Sequence, residues 1–309
     1  MDKALITHGH SDHARRGHRA YLTHVDGVGI LRHRLGKINV QGIQYGETMR
    51  LHGVDISFHP AGHVLGSAMI RLQDDKECWV ISGDYKTVAD GVSEPYAPVS
   101  CDHFVTESTF GLPIFQWQRP EAVHAAIDNW WAENQAAGRP SMLAAYSLGK
   151  AQRVLRHLTA DQGPIIAHPA VEKINELTRE AGVALPDTQA MEDLSDEDLK
   201  KAIIIAPPMA MDSKWSSRIK EPSHAVASGW MALRGTRRRR NVNRGFALSD
   251  HVDWPGLNAA VSASGAEHIH VTHGYTAIYT RYLNEQGYVA SVVQTEYEGE
   301  SLETQPTSG

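Results

Sequence analysis

"ITHGHSDHARRGH", residues 6–18, sets four histidines and one aspartate behind the short apolar run KALIT of residues 3–7. In an extended chain, residues two apart point to the same side, so His8 and His10 can grip a single ion. Asp12 and His13 follow at once, where SDHARRGH is expected to turn into a helix, and can reach a second ion beside the first. One short stretch therefore offers nitrogen and oxygen donors to two cations, at about 2.0–2.1 Å per imidazole nitrogen if the metal is zinc.

Three further donors lie just past other strand-like runs. His63 sits in HPAGHVLGSA, Asp84 ends WVISGD, and His273 ends HIHVTHG. Each has a glycine beside it, which lets the backbone approach a crowded centre. The set His8, His10, His63, Asp12, His13, His273 and Asp84 is large enough for two ions, with Asp84 as the bridging carboxylate. Nitrogen and oxygen donors suit zinc and tolerate manganese. Histidines outside this set, such as His18, His24, His103, His268 and His270, read as ordinary surface or core residues.

A chain of 309 residues is long for one hydrophobic core and implies two domains, or one domain with a large insertion. It has no apolar run long enough to span a bilayer and no basic-then-apolar leader pattern, so no membrane association and a cytoplasmic location are expected. Cys78 and Cys101 are the only cysteines, too few for a disulfide framework. The net charge of −6 argues against a surface coated in positive charge, while leaving room for a local basic groove.

The first 110 residues or so read as short strands: KALIT, HGVDISFHPA, GSAMIRLQ, ECWVISGD and HFVTEST. From about Gly111 strands and helices alternate. The helices are RPEAVHAAIDNWWAENQAAG, GKAQRVLRHLTAD and PAVEKINELTREAG; the strands are PSMLAAYS, GPIIAH, AIIIAPP and HAVASGWMA. That alternation implies a parallel sheet covered by helices. MEDLSDEDLKK reads as a solvated acidic helix. After Arg244, the strands GFALSDH, EHIHVTH and YVASVVQTEY alternate with the helices VDWPGLNAAVSASG and YTAIYTRYLNEQG.

THGHSDHA, GHVLGSA, SGD and VTHG together resemble the metal motifs of the metallo-β-lactamase fold. TESTFG with Glu107 and SDHVDW with His251 are similar to two signature motifs of the β-CASP nucleases, as are YSLGKAQRVLR and SGWM. Within that group the chain most resembles the bacterial ligase-associated DNA exonucleases. The resemblance implies an α/β architecture, a metallo-β-lactamase αββα sandwich with an inserted β-CASP domain of parallel sheet flanked by helices. It places the first part of the sandwich at residues 1–111, the insertion at 112–244 and the second part at 245–309. It further implies that His8, His10 and His63 hold one divalent ion and Asp12, His13 and His273 the other, with Asp84 between them. Asp12, His251 and Glu107 take catalytic roles, His251 as general acid oriented by Glu107. The expected activity is metal-dependent hydrolysis of DNA phosphodiesters, as an exonuclease in repair, with a DNA ligase or helicase as partner.

Substrate binding needs cations. Arg237, Arg238, Arg239 and Arg240 lie in the run RGTRRRRNVNR and are expected to neutralise phosphates, with Lys150 at a helix start adding a contact. Trp117, Trp130 and Trp131 read as core rather than as stacking platforms. The same motifs fit an RNA-processing β-CASP nuclease, and the metal string alone would fit a small-molecule hydrolase. The resemblance also places strands and a bracing aspartate ahead of the first histidines. Only seven residues precede His8, and Asp2 is at the wrong end of its strand, so those strands are expected to be missing from this chain. A catalytically impaired nucleic-acid-binding scaffold is the resulting alternative.

Overall fold

The computed structural model describes residues 2–233, 235 and 242–294. It divides into two compact units, Met1–Gln116 with His251–Gly309, and Trp117–Asp250. The sequence pattern switches at 112 and 244, whereas the units part at 116/117 and 250/251. The reasons are local. Phe115 N bonds to Leu112 O and accepts Trp254 N at its own carbonyl, which ties this segment to the first unit. Phe246 and Leu248 lie in the core of the second.

The first unit opens with β1 (Lys3–Leu5), β2 (Ala20–His24), helix α1 (Gly27–Leu35) and β3 (Val40–Ile43). Strands β1, β2 and β3 form a small parallel sheet in that order. Next come β4 (Thr48–Leu51), β5 (Val54–Pro60), β6 (Ala68–Gln73), β7 (Cys78–Ile81) and β8 (His103–Ser108). The second unit contributes α2 (Pro120–Ala136), β9 (Ser141–Ala144), α3 (Lys150–His157), β10 (Ile165–Ala167), α4 (Pro169–Glu180), α5 (Asp196–Leu199), β11 (Ile203–Ala206), β12 (Ser223–Ala227) and β13 (Arg244–Phe246). The chain then returns to the first unit with α6 (Trp254–Ser264), β14 (His268–Gly274), α7 (Thr276–Glu285) and β15 (Val289–Val292).

Alternation decides the faces of the large sheet, whose order is β15-β14-β8-β7-β6-β5-β4. Met69, Val80, Phe104, Ile269 and Val271 point to one side and pack on Leu257, Ala260 and Val261 of α6 and Tyr279 and Leu283 of α7. On the other side, Ile56, Phe58, Ala68 and Ile70 meet Leu22 of β2 and Ile43 of β3, so the two sheets close over a shared core. Phe58 is fully buried there, and burial of such a side chain contributes about 1.5–3 kcal/mol.

The second unit has a parallel sheet in the order β10-β11-β9-β12-β13. Its near-continuous apolar strands, such as Ile203–Ala206, are buried on both faces. Trp130 and Trp131 belong to its core, and each indole N–H finds an acceptor: Ser223 Oγ at 3.2 Å and Lys201 O at 2.8 Å.

Several local expectations need correction. SDHARRGH makes only one turn, with Ala14 N bonded to His10 O at 2.9 Å, before the chain doubles back to lay β2 alongside β1. A parallel neighbour requires that return, which here is made by a loop, whereas the next one, from β2 to β3, is made through α1. MEDLSDEDLKK yields a short 3₁₀ turn, Met191–Asp193, and the four-residue α5. HAVASGWMA stops being strand at Ala227, where Ser228 Oγ caps the 3₁₀ turn Gly229–Ala232 by accepting from Trp230 N. GFALSDH is strand only through Phe246. Neither α1 nor its flanking β2 and β3 announced itself in the sequence.

Candidate metal centre

Strand direction explains why donors far apart in sequence meet. Strands β7, β8 and β14 are mutually parallel, so Asp84, Glu107 and His273 all fall at or beyond their carboxyl-terminal ends. Strand β5 is antiparallel to β6, which is antiparallel to β7, so β5 also delivers His63 to that edge. The small sheet is joined at the same place, because Ala68 N donates to Thr7 O at 2.8 Å, one residue before His8. Gly83 makes this approach possible: its φ is +57°, and a Cβ there would lie 2.7 Å from the Thr7 side chain.

Asp84 is the hub. Its Oδ2 lies 3.2 Å from His8 Nε2, 3.3 Å from His13 Nε2 and 3.7 Å from His63 Nε2. His63 Nε2 is 3.1 Å from His10 Nδ1, and Asp12 Oδ2 is 3.6 Å from His13 Nε2. Donor atoms of His8, His10, His63 and Asp84 all lie within 4.8 Å of one another, as do those of Asp12, His13 and Asp84. Both groups could hold a metal ion, and Asp84 is common to them. The buried His273 Nδ1 has no hydrogen-bond partner, and His8 Nε2 and His13 Nε2 face only the Asp84 carboxylate, without the geometry of a good hydrogen bond. Buried polar atoms are rarely left so, and a cation would satisfy them. The residues present therefore fit divalent metal.

The electrostatics of the ligand-free cluster follow from burial and from Asp84. Burial, with the charge of His13 beside it, lowers the His8 pKa to about 3. Burial, reinforced by His8, His251 and His10, holds His63 well below the ordinary histidine value. His13 goes the other way, up to about 9: burial opposes its charge, but the Asp84 carboxylate, Asp12 and Glu107 outweigh it. Asp84 sits well below the carboxylate range, because His13, His251 and His8 together overcome its own burial. His8 and His63 are thereby neutral and Asp84 ionised, as a metal requires of its ligands, whereas His13 carries a proton that a bound metal would have to displace.

Glu107 and His251 stand beside this hub. Glu107 is fully buried; it accepts from Tyr85 N at 2.9 Å and faces His251 Nδ1 through Oε2 at 2.8 Å. Asp84, Glu107 and His251 offer donors within 4.8 Å of one another, and the His251 and His63 rings are 4.8 Å apart. His273 is not in either metal group, but its ring lies 5.2 Å from that of His13. It occupies a β-bulge at the end of β14 with φ of 55°, unusual for a side-chain-bearing residue. Bulges re-aim side chains next to active sites, and such strain is retained where the surroundings enforce it.

Of the expected nucleic-acid contacts only Lys150 lies among the described residues. Arg237, Arg238, Arg239 and Arg240 lie outside the described residues. Lys150 is 2% exposed, 3.6 Å from Asp250 and over the Tyr146 ring at 4.5 Å. It is held inside the second unit rather than presented to a phosphate, because the start of α3 packs inward. One contributor was not foreseen: Arg34 of α1 donates to Gly9 O, between His8 and His10. Nothing in LRHRL distinguishes it from a solvated basic helix.

A buried histidine–aspartate cluster that could hold metal, at the carboxyl ends of strands in an α/β unit, defines a candidate metallohydrolase. No family model matches the chain. It is 28% identical over 288 residues to a protein of Opitutus terrae named "Probable DNA ligase", covering 92% of this chain and 28% of that protein. It is 27% identical over 124 residues to an endoribonuclease of Kluyveromyces lactis (38% of this chain, 15% of that protein). It is 26% identical over 123 residues to an RNase J-like protein of Methanocaldococcus jannaschii (38% of this chain, 28% of that protein). The chain thus spans less than a third of the length of these relatives. A crystal structure of a protein of unknown function from Enterococcus faecalis superposes with a TM-score of 0.64 at 11% identity, over 95% of this chain and 79% of that one. The sequence similarities are to proteins named as a DNA ligase and as ribonucleases.

Proposed function

We propose that the chain is a metal-dependent DNA phosphodiesterase, acting as an exonuclease in repair. The observation that carries the chemistry is Asp84 Oδ2 within 3.7 Å of three imidazole nitrogens, with the Glu107–His251 pair at its side. His8, His10 and His63 would hold one divalent ion, zinc or manganese, and Asp12, His13 and His273 the other, with Asp84 shared. Bound there, the ions would supply an activated water and neutralise the phosphate's charge. The chain's own residues do the rest. Glu107 fixes the His251 tautomer by accepting a hydrogen bond from the Nδ1–H. His251 then gives a proton to the leaving sugar oxygen. Asp12 orients His13 from 3.6 Å.

The preference for DNA is supported by the extent of similarity: 92% of the chain aligns with a protein named as a DNA ligase, against 38% with those named as ribonucleases. The same comparison motivates a ligase or helicase as partner. Among the described residues no helix is long and apolar enough to cross a membrane. An RNA-processing ribonuclease is the second reading, favoured by the names of those shorter matches. His251→Ala tests the chemistry: metal content should persist while the rate on single-stranded DNA falls about 10²-fold or more. Loss of metal instead makes His251 a ligand and refutes its role as acid. Cleavage of RNA but not of matched DNA rejects the substrate.

A further inference from the structure

A second concave surface of the first unit lies among Arg16, His18, Arg19, Lys37 and Asn39, a cavity of about 440 Å³ floored by Tyr21, Leu35 and Ile38. Its charge is out of keeping with the chain. Residues 13–39 carry six cations (Arg15, Arg16, Arg19, Arg32, Arg34 and Lys37) and one carboxylate, Asp26, in a protein of net charge −6. Five of the six are exposed, and Arg34 is turned to Gly9 O.

The cavity is built rather than incidental. Tyr21, only 3% exposed, donates its hydroxyl to Arg15 O at 2.9 Å and accepts from His18 N at 3.2 Å, so the loop carrying Arg16, His18 and Arg19 has a fixed course. His18 packs edge-on against the Tyr21 ring at 5.4 Å. Its Nδ1 is buried yet has no hydrogen-bond partner, which leaves a polar atom unused in the cavity wall. The carboxylate paired here is Asp2, 3.5 Å from Arg19, with both side chains more than four-fifths exposed; so open an ion pair contributes little and yields easily to a stronger anion.

From this juxtaposition of Arg16, Arg19, Lys37 and the unpartnered His18 nitrogen, we infer a binding site for consecutive phosphates of a single-stranded polynucleotide, separate from the metal centre. The inference rests on the nuclease reading for its choice of polyanion. The cations favour a chain over one small anion: Arg16 and Arg19 lie on one segment of the cavity wall and Lys37 on another. Such spacing suits neutralisation of successive phosphates, each contact releasing a counterion.

The test is fluorescence anisotropy of a labelled oligothymidylate over a salt series, with EDTA present so that no hydrolysis intervenes. The triple variant Arg16→Glu/Arg19→Glu/Lys37→Glu should bind about 10-fold or more weakly at low salt. The slope of log affinity against log salt should flatten by about 2, at about 0.7 per lost contact on a single strand. Arg281→Glu, an exposed cation on α7, should leave both quantities unchanged. Should the charge reversals disturb folding, as seen in the melting curve, Arg16→Gln/Lys37→Gln should still flatten the slope by more than 1. An unchanged slope, or an equal effect of Arg281→Glu, overturns the inference. Wild-type hydrolysis with zinc or manganese reports separately on the nuclease reading. A wild-type chain that hydrolyses nothing, while the reversal still weakens binding, refutes that reading and upholds this site.

Discussion

Replacing Glu107 by glutamine isolates the proposed proton-transfer device, because it keeps the volume of a fully buried side chain and removes only its charge. The wild-type carboxylate serves two donors, Tyr85 N at 2.9 Å and His251 Nδ1 at 2.8 Å. A glutamine has one acceptor oxygen. If Tyr85 keeps it, the amide NH₂ faces His251 Nδ1, which must then accept, and the ring proton moves to Nε2. The imidazolium also loses its counter-charge. A charge-assisted hydrogen bond of this kind contributes about 1.5–3 kcal/mol. At about 1.4 kcal/mol per decade, kcat/KM should fall about 10- to 100-fold. The assay is steady-state hydrolysis of a single-stranded oligonucleotide at saturating metal, with metal content and melting temperature measured on the same preparation. Both of the latter should stay close to wild type. A rate within twofold of wild type refutes the reasoning outright. A rate loss accompanied by loss of metal refutes it differently, by making the pair part of the metal-holding set.

Metal should stabilise the first unit: a divalent ion at 100 times its dissociation constant adds about 2.7 kcal/mol, so chelation should lower the melting temperature of wild type but not of Asp84→Asn. Gly83→Ala should cost about 1–3 kcal/mol and reduce metal content, since the residue has φ of +57° and the new Cβ would press on Thr7; melting and metal analysis check this. In the second unit Glu172 accepts from Thr188, Arg179 and Asn175 at 2.6–2.8 Å, and these bonds hold its carboxyl below the ordinary value despite partial burial. Its contribution, about 1 kcal/mol after allowing for exposure, is present above the unfolded carboxylate pKa and lost as pH falls through the folded one. Denaturant unfolding of Glu172→Ala should therefore show a deficit at neutral pH that vanishes at low pH.

The sequence by itself showed which donor types are crowded together. His8, His10, Asp12 and His13 fall within six residues, so their nearness is local, although the chain sets them in bends and a turn rather than in the extended run that the spacing suggested. The apolar-to-polar switch at the ends of WVISGD and HIHVTHG likewise marked Asp84 and His273 as strand-end residues, and the alternation after Gly111 marked a parallel sheet. The helix α1 escaped because its short, basic, glycine-containing stretch lacks the periodicity by which a helix is recognised. Tertiary structure decided the rest. Whether His63 reaches the hub depends on β5 running in the same direction as β7, which two antiparallel pairings settle and no local signal encodes. Lys150 illustrates the reverse. At the start of a helix it suggests a phosphate contact, but packing turns it onto Asp250 and Tyr146. A residue's chemical type is local, whereas its partners are set by which strands and helices close over it.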